Sequence, residues 1–393
     1  MHTTTQWRRR VGEGFTTLLA IVLAASCATT PTGEEVGDRG TAAAHPAPHS
    51  PPPAPPLRAG ERFAQIHMPE SYTPAAPAGG TDEYRCFLID PKLTSDAFLT
   101  GSQFLPQNLD IVHHAIFFRI DDTAVTAARK RDTATPGPGW TCFGDADVGD
   151  KATWVASWAP GGQETLLSPE VGYPMPAGSQ LIMQVHYNLL TVDQKGKFSD
   201  QSGIRLRLTE TALTPLHTTL LPAPVELPCT AAESGPLCDR DAAVTDVTRR
   251  FGDGSAEAAA GLLKLCSGGK PSPSNEQHCD HVVKQSGMRV YGLGGHMHLL
   301  GRSIKVELNP GTPTARTLLD VPTYNFDDQR LRVQDSPVAI KAGDTLRVTC
   351  THDAELRRQL PQLRSLPARY VIWGQGTADE MCLAILVGTK SSA

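Results

Sequence analysis

The chain has 393 residues, of which 40% are hydrophobic, 6% aromatic and 20% charged, with 35 Gly and 32 Pro. That is too apolar for a disordered protein and too rich in turn formers for a helical bundle. A formal net charge of −5 offers no basic field for nucleic acid. No stretch after residue 27 approaches the ~20 apolar residues of a spanning helix, which excludes a polytopic membrane protein.

The first segment reads as an address. Arg8-Arg9-Arg10 precede an apolar run over 15–25 and then Ser26-Cys27, the layout of a secretory signal over 1–27. Leu23-Ala24-Ala25-Ser26-Cys27 resembles a bacterial lipobox, in which the Cys is lipidated and anchors the protein to a membrane; ordinary secretion is the alternative. Residues 28–60, with Pro46, Pro48, Pro51, Pro52, Pro53, Pro55 and Pro56, read as an extended tether in which His45 and His49 are solvated.

From residue 61 onward short alternating segments dominate. Stretches 111–120, 180–190, 204–208, 288–293, 303–308, 345–351 and 381–387 read as strands, with Pro136-Gly137-Pro138-Gly139, Pro160-Gly161-Gly162 and Asn309-Pro310-Gly311 as turns. The expected fold is all-β. The body is too long for one sandwich, so two are expected, over 61–215 and 216–393. Between them, 226–285 holds four Cys and two helical patterns, 241–251 and a second over 255–265 opened by Ser255 as a cap, and reads as a disulfide-pinned insertion. Apart from Cys27 there are eight Cys: Cys86, Cys142, Cys229, Cys238, Cys266, Cys279, Cys350 and Cys382. An even number in an exported chain suggests disulfides, and spacing alone does not choose the pairing.

Chemistry concentrates in the histidines. Along 180–190, Leu181, Met183, Val185, Tyr187 and Leu189 take one face and Gln184, His186 and Asn188 the other, so His186 is expected to point outward into a polar environment. His296 and His298, two apart, share a face on a strand and can reach one ion, and Gly292, Gly294 and Gly295 leave the backbone room to bend. His113 and His114 would diverge on a regular strand; a bulge, or use of different ring nitrogens, would bring them together. Imidazole suits Zn, Cu, Fe and Ni, and a thioether such as Met381 favours Cu(I), although periodicity alone reads Met381 as a core residue beside Leu383 and Ile385. His278 and His281, flanking Cys279, read as a solvated loop rather than zinc ligands, and His352 as a strand-end residue rather than a neighbouring ligand.

Six stretches in order, Asp82-Glu83-Tyr84-Arg85-Cys86, Val112-His113-His114-Ala115, Ala156-Ser157-Trp158-Ala159, Gln184-Val185-His186-Tyr187, Gly295-His296-Met297-His298-Leu299-Leu300-Gly301-Arg302 and Asp379-Glu380-Met381-Cys382, resemble the copper type II, ascorbate-dependent monooxygenases. The resemblance implies two tandem jelly-roll β-sandwich domains, each carrying one copper, facing across a water-filled cleft. It places the electron-storing copper on His113, His114 and His186. It places the copper that handles O2 and C–H hydroxylation on His296, His298 and Met381. It also implies the disulfides Cys86–Cys142 and Cys350–Cys382, the latter fixing the residue beside Met381; Cys229–Cys238 and Cys266–Cys279 are then expected within the insertion. Peptide-amidating members carry Arg where Gly294 stands and Asn where Leu383 stands, so amidation of glycine-extended peptides is not expected. The leading expectation is an extracytoplasmic enzyme with two copper ions that hydroxylates a small or peripheral organic substrate, using O2 and ascorbate or another one-electron reductant. The alternatives are a lipid-anchored copper-binding protein without turnover, or a structural β lipoprotein with incidental histidines.

Overall fold

Strand Gln180–Asn188 runs through the middle of a five-stranded antiparallel sheet, between Asp82–Ile89 and Val112–Ile120, with Trp140–Thr141 and Thr153–Trp158 at the edges. Its alternation does what the pattern predicts for one face: Leu181, Met183, Val185 and Tyr187 are buried against Leu99, Tyr173, Met175, Ile204 and Leu206 of a facing sheet. The other face divides into two zones. At one end Ile116, Phe118, Ile120 and Ile182 pack with Trp140 and with Ala124 and Ala128 of helix Asp122–Ala134. That helix starts on Asp121, whose carboxylate accepts from the backbone of Thr123 and Ala124. At the other end the same face presents Asp82, Tyr84, His114 and His186. His186 has no solvent exposure, which corrects the outward, polar placement read from the alternation. A sandwich normally leaves its outer faces wet; here residues near Thr377 cover this one.

This computed structural model describes residues 54–76, 80–149, 151–190, 192 and 198–390, within the unit Pro51–Ala393. Segment 1–27, read as a signal, with Cys27, read as a lipidation site, and His45 and His49 lie outside the described residues. Of the stretch read as a tether, 54–60 is described, and it lies on the body: the buried Arg207 guanidinium donates to the carbonyls of Pro55 (2.8 Å) and Pro56 (3.0 Å).

The second half repeats the layering. Thr214–Pro222, Leu383–Thr389, Met288–His296 and Arg332–Ile340 form one layer, and Glu276–Val282, Thr345–His352, Gly301–Leu308 and Arg316–Val321 the other. Val290, Leu293, Ala384 and Leu386 meet Ile304, Val306, Leu346 and Val348 between them. The fold is thus an all-β sandwich architecture with a small helical insertion. Parallel pairing of Thr214 with Val171 and Pro215 with Gly172 joins layers of the two halves into one nine-stranded sheet among the described residues.

The insertion carries helices Arg240–Phe251 and Asp253–Ser267. The second starts on Gly252 rather than on Ser255, which sits in the first turn with its hydroxyl bonded back to the Phe251 carbonyl; φ of +83° at residue 252 suits the glycine. Ala243, Val247, Phe251 and Ala259 pack on Tyr370 and Ile372. All four expected disulfides are present: Cys86–Cys142, Cys229–Cys238, Cys266–Cys279 and Cys350–Cys382. They fit a protein made in an oxidising compartment. Among the described residues no helix is long and apolar enough to cross a membrane.

Candidate metal centre

The first histidine trio is built by strand register. His114 lies directly opposite His186 across the ladder, and Tyr84 lies opposite His186 on its other side. Parity would send His113 into the core with Ala115 and Phe117. The ladder slips between Val112 and His114, a bulge at His113 that turns its ring to its neighbour's side. The Nδ1 atoms of His113 and His186 each lie 3.3 Å from Nδ1 of His114. Three ring nitrogens so placed, each offering a lone pair, would repel unless a cation sat among them. Two imidazoles sharing one ion at bonds of ~2.0 Å hold their nitrogens roughly 3.3 Å apart, so these residues fit a metal. Among the described residues they form a group of ligating side chains close enough to share one ion.

An acceptor beside the trio fixes the tautomer of His186. His186 donates from Nε2 to Asp82 Oδ1 (2.9 Å), which leaves Nδ1 as the free lone pair. Thr377 and Thr81 donate to the same carboxylate. Burial would raise the Asp82 pKa, but the bond to and charge of His186, with the threonine bonds, hold it below its ordinary value. Tyr84 stacks flat on His186 at 4.2 Å, and Phe326 stacks on His113 at 4.0 Å. Burial first, and then the neighbouring imidazoles, push His113 and His114 well below 6.5, so both rings are neutral at neutral pH and able to ligate. Burial likewise lowers His186, against the pull of Asp82.

The second group lies at strand ends. His296 closes strand Met288–His296, and His298 sits in the turn before Gly301–Leu308, with the two rings 5.2 Å apart. Gly295 lets this strand press on its neighbour: a Cβ there would meet Ile304 Cγ2 at 2.5 Å. His296 Nδ1 faces Gln329 Oε1 at 2.6 Å and His298 Nδ1 faces the Asp379 carbonyl at 3.3 Å, so each ring donates from Nδ1 and keeps Nε2 free. His298 Nε2 is buried without a partner. His296 is pushed down to about 3 by burial and then by His298. Met381 is buried and borders the same cavity as His296. It lies before its strand, which begins at Leu383, and not in line with Leu383 and Ile385 as the alternation suggested.

This group is braced from outside the ladder. The fully buried Glu380 carboxylate accepts from the backbone N–H groups of His298 (3.0 Å), Leu300 (2.6 Å) and Met381 (3.1 Å). His352 ends its strand as expected, with Nε2 3.4 Å from Glu380. Burial would raise Glu380, but His352 and then His298 hold it low. Arg250 of the insertion forks onto Asp379 at 2.8 and 2.6 Å, and Cys382 is bonded to Cys350. Tyr324 clamps Met297 through both its N–H (2.9 Å) and its carbonyl (2.6 Å). His278 and His281 lie on strand Glu276–Val282 rather than in a loop; His278 is exposed and His281 bonds the Pro222 carbonyl.

The two groups are neighbours. The rings of His114 and His296 meet edge to face at 5.4 Å, so no wide cleft separates them, contrary to the cleft that the resemblance implied. A cavity of about 630 Å³ opens beside this contact, bordered by His114, His296 and Met381. Sequence reasoning missed Asp82, Tyr84, Phe326, Gln329 and Glu380. Asp82, Tyr84 and Glu380 stand inside motifs that were recognised, but their partners are set by long-range register.

Residues 274–387 match the family model described as copper type II ascorbate-dependent monooxygenase, C-terminal domain. That part of the chain is similar to the C-terminal domain of the family. The matched span holds His296, His298 and Met381. The chain is also 23% identical over 248 residues to DBH-like monooxygenase protein 1 of Gallus gallus, covering 60% of itself and 33% of that relative. It therefore spans about a third of that relative's length. Solved structures with distant likeness include the major capsid protein P2 of bacteriophage PM2 (7% identity, TM-score 0.32, 84% of this chain and 98% of that one). Another is PNGase F from Flavobacterium meningosepticum (8% identity, TM-score 0.31, 84% and 97%).

Proposed function

We propose that this chain is a copper-dependent monooxygenase. It would hydroxylate a C–H bond of a small or peripheral organic substrate, using O2 and an external one-electron reductant such as ascorbate. One observation carries the reading: two clusters of the ligand types copper favours reach a single cavity, one through His114 and the other through His296 and Met381. Copper held there would supply the electron transfer and oxygen chemistry that protein side chains lack. His113, His114 and His186 would hold one ion through Nδ1. His296 and His298 through Nε2, with the Met381 thioether, would hold the other. Asp82, Gln329 and the Asp379 carbonyl keep the ligating nitrogens unprotonated, and Glu380 fixes the turn that carries His298 against Met381.

The disulfides and the signal-like first segment support an extracytoplasmic location, with Cys27 as a lipid anchor to a membrane. Copper analysis is expected to give two ions per chain. With ascorbate and a compound library, mass gain of one oxygen should accompany O2 uptake. Two bound copper ions with uptake no greater than uncoupled background would instead make the protein a copper holder without turnover.

A further inference from the structure

The cavity's walls and its charges bear on what can occupy it. Tyr84, Trp154, Trp158, Trp373, Leu331 and Ile385 line it next to the metal-binding side chains. Apart from histidine, the lining residues with formal charge are Glu164 and Arg330. Glu164 is committed to the buried guanidinium of Arg207, with both carboxylate oxygens 3.3 Å from Nη2. Arg330 forks onto Asp328 at 2.7 and 2.6 Å. The cavity therefore presents no unpaired charge to a ligand.

Among the described residues that line the cavity, Gln184 carries a fully buried side-chain atom without a hydrogen-bond partner. It is fully buried, and its Nε2 donates to the Asp145 carbonyl at 2.8 Å. Exchanging the amide's oxygen and nitrogen would set two oxygens against each other, so the orientation is fixed. Its Oε1 has no partner. An acceptor left unpaired in a buried position carries a desolvation cost that an incoming donor would remove. A hydroxyl or neutral N–H meets that need. An ammonium would also donate, but would surrender its hydration with no carboxylate to replace it, and a carboxylate would face oxygen with oxygen.

We infer that the cavity selects a neutral, largely aromatic or aliphatic molecule that carries one hydroxyl or N–H donor, with Gln184 as the acceptor that orients it. This names the substrate class for the copper reading and rests on it only for the fate of the bound molecule, because binding itself needs no metal.

Calorimetric titration of the metal-free protein at neutral pH with para-phenylbenzyl alcohol, para-phenylbenzylamine and para-phenylbenzoate tests it. The alcohol should bind at least about tenfold more tightly than either ion. Gln184→Leu should erase the alcohol's advantage over para-methylbiphenyl, and Gln184→Glu should move the preference toward the amine. The ranking in the unaltered protein needs no variant, so a folding defect in either substitution leaves the main comparison standing. Binding of either ion as tightly as the alcohol, or binding of none of the three, overturns the inference. Because copper is absent throughout, that result is separate from failure of the copper-loaded protein to consume O2.

Discussion

The two candidate ligand sets differ in construction. His113, His114 and His186 stand on two paired strands, and their approach follows from the ladder and one bulge. His296 ends its ladder opposite Leu383, while His298 and Met381 lie beyond the strands that flank them. Their geometry depends on Glu380, on the fork from Arg250 to Asp379 and on the bond from Cys382 to Cys350. A site written into a sheet is carried by main-chain pairing, whereas a site at the sheet's edge has to borrow rigidity from distant parts of the chain. The helical insertion looks remote from the chemistry, yet its Arg250 braces the residue two before Met381.

Removing a ligand breaks the comparison most sharply. His298→Ala should halve the copper content and abolish turnover while leaving the first trio loaded; His114→Ala should leave only the second ion. Elemental analysis with spin resonance of the oxidised protein distinguishes the two.

Arg250→Met comes next. Arg250 and Asp379 are both largely buried, and stranding one partner of such a pair costs about 3–5 kcal/mol. Thermal unfolding should show the loss, and copper should weaken at the second site first.

The bracing carboxylates sharpen the contrast further. Glu380→Gln should weaken copper at the second site by roughly 10–100-fold, and Asp82→Asn should weaken the first site toward the lower end of that range, because the ladder still aligns His186. Competition with a copper chelator measures both. Equal losses would mean that the sheet lends the first trio no extra rigidity.

The smallest expected effect is that of pH on the metal-free protein. His113, His114, His186 and His296 have folded pKa values below 6.5, so the unfolded chain binds more protons as pH drops below 6.5, down to about 3 for His296. Stability is therefore full above that window and falls on acidification. Asp82 and Glu380, held below their ordinary values, add a loss in the same direction at lower pH. The unfolding temperature should decline from pH 7 to pH 5, and copper should flatten the early part of that decline.

Much of this was legible in the chain. The period-two segments found the strands, and the ordered motifs found the histidines that the fold gathers and the pairs Cys86–Cys142 and Cys350–Cys382. His186 was read as outward because alternation reports which residues share a face, not what covers that face. Asp82 and Thr377 meet across 295 residues, a juxtaposition that no local pattern encodes. Met381 was ambiguous because the apolar run beginning at Leu383 invites extension by two residues, while the ladder stops at the residue paired with His296. The bulge at His113 was one of two ways to reconcile adjacent histidines, and pairing with the neighbouring strand chose between them.

The seam at Thr214 and Pro215 has a mechanical meaning. Because the pairing with Val171 and Gly172 carries one sheet from the first half into the second, the halves are not beads on a hinge. Prising them apart would tear main-chain hydrogen bonds.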